Sequence, residues 1–152
     1  MPVSLPASTA PDPTPILLAA KRNADQVQAI LSAYGLRDFD LADRNLDAMA
    51  GDPLQRNRLA EILPMMLESI SRTADPDQAL NHWERLFGSV SRASFLDYLR
   101  TWPRMLDLLC VIFGNSDALA FALIRDPMLG YWLAEEEGLS DAPTRKELER
   151  AL

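Results

Sequence analysis

Ala74-Asp75-Pro76-Asp77-Gln78-Ala79-Leu80 is a helix start spelled out in side chains. The Asp75 carboxylate stands three residues before Gln78, where it can accept the Gln78 amide while the Gln78 side chain reaches back. Pro76 takes the first helical position, where a missing N–H costs nothing. The same capping pattern recurs at Asn23-Ala24-Asp25-Gln26, Asp52-Pro53-Leu54-Gln55 and Thr144-Arg145-Lys146-Glu147. Asp126-Pro127 repeats the start without the Gln. Gly35, Gly51, Gly88 and Gly114 lie just past apolar runs, as helix-ending residues do.

Working outward, no stretch alternates apolar and polar residues long enough to read as a strand, and Val is scarce. The pattern predicts an all-α fold: short antiparallel helices in a bundle or small array, preceded by a disordered leader. Helices are expected at about 24–34, 40–50, 53–71, 76–88, 92–101, 103–113, 116–125, 127–136 and 144–152. Pro64 should kink or split the third, because it removes an amide and crowds the preceding turn. Residues 1–22 read as the leader: Pro2, Pro6, Pro11, Pro13 and Pro15 crowd its first part. Residues 23–152 then form one helical domain.

Spacing at i, i+3 and i+4 nominates a core of Leu80, Leu96, Leu99, Leu106, Leu109, Phe113, Leu119, Leu123 and Leu133. A weak internal repeat sets Phe95, Leu99, Pro103, Met105 and Leu109 against Leu119, Leu123, Pro127, Leu129 and Leu133. Two units are too few for a solenoid, so the repeat reads as two neighbouring hairpins with similar packing needs.

The composition narrows the function classes. At 152 residues, 48% hydrophobic and 24% charged, the chain fits one globular domain. A net charge of −7 argues against a nucleic-acid surface, which needs clustered Lys and Arg. No apolar run approaches the roughly 20 residues of a membrane span, and no basic region precedes Ile16-Leu17-Leu18 as in a secretory signal. Cys110 is the single cysteine, so no internal disulfide can form and a reducing, cytoplasmic setting is expected.

No constellation assembles a catalytic centre. His82 is the sole histidine and sits in a helix, where a surface or partly packed role is expected rather than catalysis. Cys110 lies in Leu108-Leu109-Cys110-Val111-Ile112 without a basic neighbour, as a buried small hydrophobe would. Glu135, Glu136 and Glu137 point about 100° apart on a helix, so they suit a solvated helix end better than one metal ion. Trp83, Trp102 and Trp132 fall among apolar residues and read as packing anchors. Glycine-rich phosphate loops are absent.

Taken together, Asp75-Pro76-Asp77-Gln78-Ala79-Leu80, Leu106-Asp107-Leu108-Leu109 running to Phe113-Gly114-Asn115-Ser116, Asp126-Pro127 and Trp132-Leu133 form a recognisable series. The chain resembles the N-terminal helical region of the bifunctional glutamine synthetase adenylyltransferase/adenylyl-removing enzymes, over roughly Asn23–Leu152. Trp83 and the polar Asn115-Ser116-Asp117 segment depart from the pattern. The resemblance implies a long parent nucleotidyltransferase that acts on glutamine synthetase in nitrogen regulation. It implies ATP and Mg²⁺ for that parent, held by paired aspartates after a Gly-Ser or Ser-Ser start. The pair is absent here: Asn115-Ser116-Asp117 lacks a second aspartate two residues on, and Asp38-Phe39-Asp40 lacks the Gly-Ser lead. The chain is therefore expected to be a non-catalytic fragment with no cofactor of its own. Its implied partners are the parent's nucleotidyltransferase domain, glutamine synthetase and a PII-type signal protein. Helices near 103–136 are expected to meet the catalytic domain, with Leu109, Phe113 and Trp132 as contacts. The other reading is a self-standing helical module that holds a partner helix.

Overall fold

The computed structural model describes residues 10–136 and 145–152. Among these residues all regular structure is helical: α1 (Pro15–Leu18), α2 (Ala24–Ala33), α3 (Phe39–Ala50), α4 (Pro53–Ser71), α5 (Pro76–Ser89), α6 (Arg92–Thr101), α7 (Pro103–Asn115), α8 (Asp117–Arg125), α9 (Leu129–Glu136) and α10 (Arg145–Ala151). The caps are those the side chains announce. The Asn23 side chain accepts the amides of Asp25 and Gln26, the Asp52 carboxylate accepts the Gln55 amide, and the Asp75 carboxylate accepts the Gln78 amide. Two more starts carry caps without the Gln or Glu: Asp38 accepts the Leu41 amide and Ser116 the Leu119 amide. The Thr144 start lies outside the described residues.

At the end of α2, Gly35 (φ 82°) turns the chain left-handed. The Leu36 amide then donates to the Leu31 carbonyl and the Gly35 amide to the Ser32 carbonyl, at 3.1 and 3.0 Å. This is a Schellman closure, and the apolar pair that accompanies it, Leu31 and Leu36, is buried. Gly51, at φ 66°, ends α3. Gly88 and Gly114 do not end helices as the sequence suggested; α5 and α7 run one residue past each. Pro64 does not split α4, which continues through it for 19 residues.

The core runs through the whole array. α5 lies at its centre, packed on α3, α4, α7 and α8, and α4 packs on α1, α3, α6 and α7. Trp83, Phe87, Phe95 and Phe113 are its largest closed side chains. Trp83 meets the Phe113 ring edge-on at 5.1 Å, and Phe87 meets Phe95 at 5.7 Å. Leu80, Leu96, Leu99, Leu106, Leu109, Phe113 and Leu123 are buried as expected. Leu119 is not: α8 turns Ala120 and Leu123 inward, three residues apart, and leaves Leu119 41% exposed. Leu133 is only partly buried. The repeat therefore diverges in packing: its first unit packs on α4 through both α6 and α7, and on α5 through α7, while Leu119 and Leu133 of the second stay partly open.

Disorder across all of 1–22 is corrected in its second half; residues 1–9 lie outside the described residues. Asp12 accepts the Thr14 amide at 3.0 Å and opens the turn α1. Ile16 and Leu17 are buried, and α1 packs on α3 and α4. The Tyr34 hydroxyl donates to the Pro11 carbonyl at 2.7 Å and Arg56 to the Leu17 carbonyl at 3.4 Å, so the segment is tied at both ends. Proline forbids an extended helix there, but the apolar Ile16-Leu17 pair outweighs it once α3 and α4 offer a surface.

Candidate functional site

The two phrases that carried the sequence reading meet in space. The α4–α5 loop lies against the C-terminus of α7: the Asp75 amide donates to the Gly114 carbonyl at 3.0 Å, and the Ala74 amide to the Asn115 side-chain oxygen at 3.0 Å. A last-turn carbonyl of α7, orphaned by the helix end, is thus satisfied by the loop. Gly114 permits the approach. A Cβ there would stand 2.1 Å from Thr73 Oγ1 and 2.3 Å from Thr73 Cβ.

The aspartates of Asp75-Pro76-Asp77 divide the structural work. Asp75 caps α5. Asp77 turns outward and accepts the amides of Arg37 and Asp38 at 3.1 and 3.3 Å, fixing the α2–α3 loop on the start of α5. One turn further along α5, Asn45 of α3 donates to Asn81 at 2.6 Å. Acidic residues that could have suggested a metal pair are accounted for as backbone clamps. Asp38, likewise, caps α3 through its own carboxylate.

His82 is buried, contrary to the surface or partly packed role expected for it. Its Nε2 lies 2.8 Å from the Asp117 carboxylate at the first turn of α8, and Nδ1 is buried without a hydrogen-bond partner among the described residues. The ring packs on Phe113 and, edge-on at 5.2 Å, on Phe121. Asn115-Ser116-Asp117, the segment that departed from the family pattern, is what supplies this partner. The signal was available in the sequence as an acidic N-terminal residue of a helix, but only the fold puts it beside the lone histidine.

Cys110 is enclosed, with its thiol 3.8 Å from the Met66 carbonyl. Burial pushes it up to about 12, opposed in part by the neighbouring polar groups of Trp83 and Ser69. A thiol held protonated in this way is inert, as its apolar sequence context suggested. Tyr98 is also raised, first by burial and then by the nearby Glu147 carboxylate.

Of the three residues nominated as interdomain contacts, Leu109 and Phe113 are buried in the core. Trp132 on α9 is 50% exposed, with Tyr131 edge-on beside it at 5.2 Å. Across the helices expected to form the contact face, the exposed large apolar side chains are Val111 on α7, Leu119 and Phe121 on α8, and Trp132 on α9. Trp83 is wholly buried and Trp102 partly so, both as packing anchors. The side chains of Glu135, Glu136 and Glu137 lie outside those described.

Among the described residues no group of three or more His, Cys, Asp or Glu side chains converges. An enclosed space lined by Leu86, Phe95, Tyr98, Met105, Leu109 and Leu123 amounts to about 10 Å³, room for one water molecule at most. A cleft beside the α2–α3 loop is open and lined by Gln28, Arg37, Asp38, Phe39, Asp40 and Asp77. No helix among the described residues is long and apolar enough to cross a membrane.

No family model matches the chain, and no solved structure matches it. Curated relatives do. Over 133 residues it is 30% identical to the bifunctional glutamine synthetase adenylyltransferase/adenylyl-removing enzyme of Bifidobacterium longum (strain DJO10A), covering 84% of this chain and 12% of that protein. The enzyme of the same name from Xanthobacter autotrophicus is 30% identical over 121 residues, 75% of this chain and 12% of its own length. That of Brucella suis biovar 1 is 31% identical over 98 residues, 64% of this chain and 10% of its own. The chain thus spans about an eighth of the length of the curated relatives it matches, and over that span it is related to the bifunctional glutamine synthetase adenylyltransferase/adenylyl-removing enzymes.

Proposed function

We propose that this chain is the helical N-terminal segment of a nucleotidyltransferase that adds AMP to, and removes it from, glutamine synthetase. Its own part is structural and regulatory: it packs on a catalytic domain and offers a surface to the proteins that control it. The observation that carries the reading is the relation to three such enzymes at 30–31% identity. The fold supplies a physical reason for the matching phrases. Asp75, Asp77 and Gly114 stand where a loop, a cap and a close helix approach need them, and none is placed for chemistry. ATP and Mg²⁺ belong to the parent's catalytic domain in this reading, and the setting is the cytoplasm. Glutamine synthetase and a PII-type signal protein are its partners at the level of the whole enzyme.

A chimera tests this directly. The matching 133 residues of the Bifidobacterium longum enzyme are replaced by this chain, and adenylylation and deadenylylation of glutamine synthetase are measured beside the parent and a deletion of the same segment. Activity above that of the deletion is expected. A chimera that folds yet equals the deletion in both reactions favours the second reading, a self-standing helical interaction module.

A further inference from the structure

We propose that the surface formed by Arg85, Phe121 and Arg125, on α5 and α8, binds an acidic, apolar helical segment of a partner protein. Phe121 is 45% exposed, and its neighbour Leu119 is 41% exposed. The Phe121 ring is nevertheless fixed. The His82 imidazole stands edge-on to it at 5.2 Å, and the Arg85 guanidinium lies over it, 5.8 Å from its centroid. An exposed aromatic already held in place loses little side-chain freedom on binding, the property of an interface anchor. Arg125 follows Phe121 by four residues and so shares its face of α8.

The charges choose the occupant. The chain carries a net −7, yet neither Arg85 nor Arg125 makes an ion pair among the described residues. The carboxylates nearest in sequence are otherwise occupied: Asp117 is held at His82 Nε2, 2.8 Å away, and Asp126 accepts the Met128 amide at 3.2 Å. Glu84 is half-buried and projects about 100° around α5 from Arg85. Two guanidinium forks therefore flank an apolar anchor with their donors open to carboxylates. Beyond Arg85 on α5, nothing other than Gly88's chain neighbours and the helix's own backbone lies within 4 Å of where a Gly88 Cβ would stand, which leaves room for a helix to lie close. A second copy docked symmetrically would bring like guanidinium groups together about the two-fold axis, so a different, acidic partner is the better fit. This inference shares the exposed apolar side chains of α8 with the contact face expected in the enzyme reading, but it rests on the charges of Arg85 and Arg125 and is tested without the parent enzyme.

The test presents the chain of residues 1–152 to a displayed library of helical peptides randomised at five positions of one face. Selected peptides should converge on a large apolar residue flanked by Glu or Asp one turn away. The consensus peptide is then titrated by fluorescence anisotropy. Arg85→Glu with Arg125→Glu should weaken it at least tenfold, and replacing its acids with Lys should restore binding to that variant alone. Circular dichroism checks that the variants keep their helices. A neutral or basic consensus, the absence of any consensus, or affinity unchanged by both charge reversal and Phe121→Ser overturns the proposal. Self-association of the wild type that the same variant abolishes also overturns it, because a second copy is then the occupant.

Discussion

The Gly114 Cα faces Thr73 so closely that any added Cβ would lie 2.1–2.6 Å from three atoms of the threonine side chain. The contact joins the last turn of α7 to the loop that starts α5, and the Asp75 amide bonds the Gly114 carbonyl beside it. In an exposed helix interior, Gly→Ala stabilises by roughly 1 kcal/mol. Here the sign should reverse. Gly114→Ala is expected to lower the urea midpoint, and Thr73→Gly in the same chain to recover part of the loss. A raised midpoint in Gly114→Ala alone would show that the loop yields freely.

Phe113 and Trp132 should separate stability from association. Phe113 is wholly buried against Trp83 and His82, so Phe113→Ala should cost about 3–5 kcal/mol in chemical denaturation. Trp132 is half exposed, and Trp132→Ala should change stability far less. The isolated chain should instead associate at high concentration through Trp132 and its neighbours on α9, and Trp132→Ala should weaken that association. Sedimentation across a concentration series reads both. A strictly monomeric chain, unchanged by the substitution, places the docking surface elsewhere.

Cys110 gives the fold a signature at high pH. Burial holds the thiol up to about 12 in the folded chain, against an ordinary 9.0. Between those values the unfolded chain has released this proton and the folded chain has not. Unfolding is then favoured progressively as pH rises from about 9 toward about 12, and the contribution is fully present below that window. Tyr98, also raised, acts in the same direction. Denaturation midpoints measured from pH 8.5 to 10.5 should fall less steeply in Cys110→Ala than in the wild type. Equal slopes would mean that the thiol is reached by solvent. A disulfide reagent should likewise modify Cys110 only as the chain unfolds.

The legible part of the fold was written in local chemistry. Asn23, Asp52 and Asp75 announced their helices because a cap acts within three residues of itself. What escaped the sequence depended on partners distant along the chain. Leu119 has the spacing of a core residue, but which side of α8 is covered depends on where α5 and α7 lie. Ile16 and Leu17 sit in a proline-rich stretch that is ordered only because α3 and α4 receive it. Gly114 looked like a terminator, since close approach to Thr73 has no local signature. The His82–Asp117 pair was hidden for the same reason. Of the nominated contacts, Leu109 and Phe113 were chosen for hydrophobicity, which cannot tell a core residue from an interface residue; burial can.

The isolated chain should neither add AMP to glutamine synthetase nor remove it. The measurement is incubation with adenylylated glutamine synthetase, phosphate and Mg²⁺, following release of ADP. A rate equal to that without protein is expected. Release above that control would place a catalytic centre in a chain whose described aspartates Asp38, Asp75 and Asp77 are committed to backbone amides.

The central claim, that this helical segment serves a glutamine synthetase adenylyltransferase, is tested most directly by the nucleotide sequence of the locus downstream of Leu152. The account predicts an open frame continuing into a nucleotidyltransferase domain, with a Gly-Ser or Ser-Ser start followed by paired aspartates. A frame that closes without such a motif would contradict it and leave the self-standing interaction module as the reading.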